Sequence, residues 1–96
     1  MYARVIQVPI KPGAMDDALN IFESVAQEAA QQSGFVDFMV LADRTNNAMV
    51  VVSLWASEAD AIARDSSGFA QQQIAKFGEL VTGPPDIRIL EVARRA

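Results

Sequence analysis

Residues 48–56 read Ala48-Met49-Val50-Val51-Val52-Ser53-Leu54-Trp55-Ala56, and their pattern decides the fold. Val50, Val51 and Val52 are β-branched and Trp55 is aromatic, residue types that favour an extended chain. Side chains of a strand alternate between its two faces. Val50, Val52 and Leu54 therefore share one face, and Met49, Val51 and Trp55 the other. A strand wetted on one side alternates apolar with polar residues. This one is apolar on both sides and needs two covers.

The preceding strand has the same character. In residues 35–43 (FVDFMVLAD), Phe35, Met39 and Leu41 stand on one parity and Val36, Phe38 and Val40 on the other. Only the polar Arg44-Thr45-Asn46-Asn47 separates the two segments, so they form an antiparallel hairpin. Asn46-Asn47 supplies ordinary turn chemistry.

Working outward, residues 2–10 (YARVIQVPI) form a first strand. Pro9 brings no N–H, so regular pairing should stop or bulge there. Lys11-Pro12-Gly13 is a turn. From Gly13 to Gln32, Met15, Ala18, Leu19, Phe22, Val25, Ala26 and Ala29 recur at three- and four-residue steps, one face of an amphipathic helix. Asp16 and Asp17 suit the dipole of its first turn, and Ser33-Gly34 is its expected stop. After the third strand, Ser57 and Asp60 form a capping-box-like start to a second helix. Ser66-Ser67-Gly68 interrupts it. A further helical stretch carries Phe69, Gln73, Ile74, Phe77, Leu80 and Val81 on one side and ends at Gly83-Pro84-Pro85. Residues 86–93 (DIRILEVA) are the last strand.

The order β-α-β-β-α-β is that of the ferredoxin-like split. The expected fold is α+β: one domain over residues 1–96, a four-stranded antiparallel sheet with helices on one face. With helix for only one cover, the second should be another copy's sheet. Size points the same way. A chain of 96 residues buries only about 60–65% of its unfolded surface, yet 51% of its residues are hydrophobic. Large apolar patches are rare on monomers. A homodimer is expected.

Composition excludes several kinds of chemistry. The net charge is −4, from 12 acids and 8 bases, with no dense basic run, which argues against nucleic acid. Arg94-Arg95 reads as a solubilising end. Without cysteine there is no disulfide, thiolate nucleophile or Cys-based zinc site. Without histidine the commonest general base, metal ligand and proximal haem ligand are missing, and serine–histidine nucleophile systems are excluded. The chain opens directly on strand-like sequence, with no signal-peptide core and no apolar run approaching about 18 residues. A cytoplasmic setting without membrane contact is expected.

The stretch Ser53-Leu54-Trp55-Ala56-Ser57-Glu58-Ala59 resembles the Trp-x-Ser strand-to-helix junction of the antibiotic biosynthesis monooxygenase (ABM) domain family. Ser66-Ser67-Gly68-Phe69 is similar to that family's Ser-x-x-Phe step. Lys11-Pro12-Gly13 and Ser33-Gly34-Phe35 fall where the family has a Pro-Gly turn and a Gly opening its second strand. The resemblance spans the chain through order and spacing. It implies a dimeric α/β barrel and a family that includes cofactor-free quinol and polyketide oxygenases and haem-degrading enzymes. Departures are specific. Arg64 stands where members often carry a histidine, Gln73 near another histidine of the haem-degrading branch, and Ile6 where that branch has an asparagine. Haem degradation is therefore a poor reading.

The resemblance implies a cofactor-independent monooxygenase, with neither metal nor organic cofactor, acting on a small aromatic quinol or polyketide-like substrate. Triplet dioxygen reacts with a spin-paired substrate once deprotonation makes that substrate electron-rich. The protein must exclude water and hold the developing anion. Trp55, Arg64, Phe69, Gln73 and Phe22 are the candidate pocket residues. Trp55 would offer a flat wall and an N–H, and Arg64 an anion-holding charge, while Gln7, Ser53 and Gln73 would orient oxygens. A base would be Glu91 or Asp37, unless the substrate arrives ionised. Each has a plainer reading: Trp55 as packing, Arg64 as a solvated charge, Asp37 as an edge charge against strand addition, Arg4 and Arg88 as partners of Glu91 or of acids on another copy. A non-catalytic dimeric domain binding a small ligand or partner stays open beside the enzyme.

Overall fold

The structure, a computed structural model, describes residues 1–66, 75 and 77–96, without the side chains of 64–66. Strand β1 is Tyr2–Pro9, helix α1 Met15–Ala29, β2 Phe35–Asp43, β3 Ala48–Trp55, helix α2 Glu58–Ser66 and β4 Asp86–Glu91, with a 3-10 turn at Gly78–Leu80. The strands form one sheet in the order β2-β3-β1-β4, antiparallel at every junction. Two crossovers of this kind place both helices on one side, the expected ferredoxin-like α+β arrangement.

Register assigns the two faces. Val51 of β3 faces Ile6 of β1 and Val40 of β2, and Met49 faces Val8 and Ala42. These rows lie under the helices. Helix α1 buries Met15, Ala18, Phe22, Val25 and Ala29, a stripe at alternating three- and four-residue steps. Met15, Ala18, Phe22 and Val25 join Ile10, Met49, Val51 and Phe77 in the core, with Phe38, Val40 and Ile6 packed against it. Phe22 stacks at 4.5 Å on Phe77 and 6.3 Å from Phe38.

The opposite face carries Val50, Val52 and Leu54 of β3, Val5 of β1, Met39 and Leu41 of β2, and Leu90 of β4. Met39 is 43% exposed and Leu41 and Leu90 are each 50% exposed. One face of the sheet is thus covered within the chain, and the other is open and largely apolar, with Gln7, Asp37 and Arg88 also on it.

Several boundaries differ from those read in the sequence. Helix α1 stops at Ala29 and not at Gln32, because the chain leaves it through tight turns, Gln31 N–H to Glu28 C=O and Gln32 N–H to Ala29 C=O. Gly34 then takes a left-handed φ of +79°. β1 ends at Pro9, and Ile10 bridges to Val81 instead. That bridge corrects the last helical stretch: Val81 is extended (φ −101°, ψ 149°), so helical structure ends at Leu80, before Gly83-Pro84-Pro85. β4 ends at Glu91, short of Ala93.

Strand β2 holds one more correction. A bulge between Phe35 and Asp37 shifts its register. Strict alternation groups Phe35 with Met39 and Leu41, but the bulge turns it to the helix side, opposite Trp55. An extra residue in one strand reverses the facing of everything beyond it. Asp37 serves the bulge directly, since its carboxylate accepts the N–H of Phe38 at 2.8 Å. β2 is an edge strand, and Arg95 lies 3.9 Å from the Asp37 carboxylate. The hairpin turn is pinned by Asn46, whose N–H and side-chain amide donate to the Asp43 carboxylate at 3.1 and 2.9 Å. These bonds hold the Asp43 carboxyl below its ordinary pKa. Arg44 reaches back to Asp16 of α1 at 2.9 Å. No helix among the described residues is long and apolar enough to cross a membrane.

Candidate functional site

The helix-covered face has two unlike ends. Helix α1 lies on the β2 side, over apolar rows, whereas α2 lies against β1, β3 and β4. At the α2 end the buried residues are Arg4, Ser53, Trp55 and Ala61, only 3%, 2%, 1% and 0% exposed. None belongs to the apolar core cluster. This end is where β3 hands over to α2, and it holds Arg4 and Ser53, the buried polar residues among the described ones.

Its geometry follows from the register. Arg4 stands directly opposite Ser53 on one side and Ile89 on the other. Ser53 and Trp55, two residues apart, share this face, and the indole Nε1–H of Trp55 donates to Ser53 Oγ at 2.9 Å. Phe35 meets the Trp55 ring edge-on, with centroids 5.9 Å apart and an interplanar angle of 86°. The bulge in β2 makes that contact possible. Tyr2 lies opposite both Trp55 and Glu91, so Glu91 borders the same row from β4, where it is exposed.

The junction holding α2 over this end is tight. The N–H of Ala56 donates to Gly34 C=O at 2.8 Å. Ser57 Oγ accepts the N–H of Asp60 at 3.2 Å and donates its own proton to the Asp60 carboxylate at 2.9 Å. The hydroxyl caps the helix as the capping-box pattern anticipates, although here the acid's side chain closes on the hydroxyl.

The sequence-derived candidates are distributed unevenly. Trp55 is at this end, but closed over, and its N–H is already given to Ser53. Phe22 belongs to the α1 core with Phe38 and Phe77, so its ring partners differ from those of Trp55. Arg64 lies in α2, with its side chain outside the described residues, as are Phe69 and Gln73 altogether. Two lesser candidates are corrected. Gln7 is exposed and lies opposite Val50 on the open face. Asp37 also faces away, opposite Leu54, engaged at the bulge. Arg4 and Arg88 occupy neighbouring strands but opposite faces, since Arg88 pairs with Val5 in register and with the Asp86 carboxylate at 3.3 Å. The residue that sequence reasoning undervalued is Arg4. The signal was available: it shares its parity with Tyr2, Ile6 and Val8, a charge within a buried row. Among the described residues no three acidic side chains gather as a metal cluster.

A sheet of this topology, half-covered by two helices and ending in a Trp-bearing strand-to-helix junction, defines a class of small ferredoxin-like α+β domains. The chain matches the family model for antibiotic biosynthesis monooxygenase over residues 1–76, and it belongs to the ABM family. Solved structures share its fold. One is a mutant of SnoaB, a cofactor-independent oxygenase from Streptomyces nogalater (21% identical, 98% of this chain and 94% of that one, TM-score 0.78). Another is a protein of unknown function from Nitrosomonas europaea (22%, 99% and 91%, TM-score 0.82). A third is an antibiotic biosynthesis monooxygenase (14%, 98% and 100%, TM-score 0.78). No curated protein sequence matches the chain.

Proposed function

We propose that this protein is a cofactor-independent monooxygenase that acts, as a homodimer, on a small aromatic quinol or polyketide-like compound. The carrying observation is the concentration of buried polar groups at one end of an otherwise apolar, helix-covered sheet, within a chain of the ABM family. The reaction needs a dry site in which an ionised, electron-rich ring meets dioxygen. Donors placed in such a site stabilise the anion more than they would in water. Membership supports the reaction class, and SnoaB is an oxygenase of this kind on the same fold. The homodimer is supported by the open apolar face of Val50, Val52, Leu54, Met39, Leu41 and Leu90, which a second copy can cover sheet to sheet.

One observation favours the non-catalytic reading: Trp55 is 1% exposed and its N–H is bonded inside the fold. Oxygen uptake against a panel of quinols, anthrones and enolisable polyketides separates the two. We expect consumption with at least one compound, accompanied by a change in the fluorescence of Trp55, the sole tryptophan. Trp55→Phe removes the donor to Ser53 and part of the ring, costing about 1–3 kcal/mol in stability. If Trp55 is a site residue, uptake falls beyond what the loss of folded protein explains. No uptake and no fluorescence response across the panel would overturn the oxygenase.

A further inference from the structure

The bulge at the start of β2 ties the two faces of the sheet together. In register Phe35 stands opposite Trp55 and Asp37 opposite Leu54, so Val36 is the extra residue between them. A bulge interrupts the ladder and bends its strand, and the backbone groups it disturbs need other partners. The Asp37 carboxylate serves as one, accepting the N–H of Phe38 at 2.8 Å. A bond to an ionised acceptor is roughly twice as strong as one between neutral groups. On the helix side of the bulge, Phe35 meets the Trp55 ring edge-on, with centroids 5.9 Å apart at 86°, an arrangement in which aromatic rings attract. The indole N–H is fixed separately, by Ser53 Oγ. Trp55 is therefore held at its N–H from its own strand and at its ring from β2, and the second hold depends on the bulge.

We infer that Asp37 is a positioning residue for Trp55: by holding the bulge it places Phe35 against the indole, although its own side chain stands on the opposite face of the sheet. The inference rests on reading Trp55 as part of the substrate site, and adds a residue that shapes that site from outside it. Asp37 acts through Phe35 and makes no contact with the ligand. Its carboxylate is 48% exposed on the open face and lies 3.9 Å from Arg95. A shift of the bulge, started from that face, carries to the Trp55 ring on the other. A displacement of about 1 Å at a site is enough to cost roughly a hundredfold in rate.

The test compares Asp37→Ala, which removes the acceptor, with Asp37→Asn, whose amide oxygen still accepts, in the full chain at equal protein concentration. The indole band of near-ultraviolet circular dichroism and acrylamide quenching of indole fluorescence both read Trp55 alone, the sole tryptophan. Asp37→Ala should alter the band and raise the quenching, while Asp37→Asn should stay close to the wild type. Arg95→Ala should leave both unchanged, which separates the bulge from the ion pair. In the Phe35→Leu background, Asp37→Ala should have no further effect, because the two act through one contact. An Asp37→Ala protein that loses stability but keeps the wild-type band and quenching overturns the inference, as does an undiminished effect in the Phe35→Leu background. Should Asp37→Ala fail to fold, Asp37→Glu decides in its place: it keeps the charge but moves the acceptor, and a wild-type band would overturn the inference. With a compound that the wild type oxidises, Asp37→Ala should slow oxygen uptake by roughly ten- to a hundredfold and Asp37→Asn should restore it. A changed band without uptake by the wild type on any compound would sink the oxygenase and leave Asp37's placing of Trp55 standing. Full uptake by an Asp37→Ala protein with a changed band would overturn the inference and leave the oxygenase standing.

Discussion

Replacing Gly34 by alanine tests how the junction beneath the site is held. Gly34 sits at φ +79°, and a Cβ built there would overlap the Asp60 carboxylate and come within 2.7 Å of the Asp60 Cβ. Because the overlap reaches Cβ, rotating the carboxylate away does not relieve it. Two costs follow. A left-handed conformation costs a non-glycine residue about 1–2 kcal/mol. Displacing Asp60 disturbs its bonds with Ser57, and loss of a helix cap costs about 1 kcal/mol. The sum, roughly 2–3 kcal/mol, lowers Tm by roughly 10–20 °C in a domain of this size. Gly13 is the internal control. It has a similar φ of +82°, but its added Cβ would meet nothing within 4 Å, so Gly13→Ala should show the backbone cost alone. Thermal unfolding followed by circular dichroism, at equal protein concentrations because association raises Tm, measures both. In a double-mutant cycle, Asp60→Ala should cost less in the Gly34→Ala background than in the wild type. The reasoning fails if Gly34→Ala is no worse than Gly13→Ala, or if the two changes at 34 and 60 simply add.

Other expectations follow from the same geometry. Light scattering of the wild type should give about twice the 10.4 kDa chain mass, and Leu41→Lys with Leu90→Lys, which charges the open face, should shift it toward one chain. Monomeric wild type at micromolar concentration would refute the covered-sheet argument. At the hairpin, the bonds from Asn46 depress the Asp43 pKa below its usual 3.8. That contribution is present above pH 3.8 and is lost as pH falls through the folded-state value. Asp43→Asn should therefore lower stability at neutral pH and flatten the acid limb of a stability–pH profile; an unchanged acid limb would show that Asp43 is not its source.

What could be read from the chain alone was whatever depends on local pattern. Two strands apolar on both parities, helical spacing from Met15 to Ala29, the Ser57–Asp60 cap and the Pro9 strand end are properties of neighbouring residues. Together they determined the element order, the antiparallel sheet, the family resemblance and an uncovered second face. The tertiary structure decided matters of register and facing, which depend on residues far apart in the chain. An extra residue at the start of β2 turned Phe35 from the open face onto Trp55, and alternation carries no sign of such a bulge. Helix α1 ended early because its last turn tightened, and Val81 left the helix to bridge Ile10. Arg4 and Arg88 look equivalent as isolated charges in strands; pairing puts one beneath α2 and the other in the open. The Trp55 N–H found Ser53 because residues two apart on a strand share a face, and burial left that bond as its destination. Local sequence determines which elements form, whereas a side chain's partners depend on the register of its strand, and the register is set only when the sheet closes.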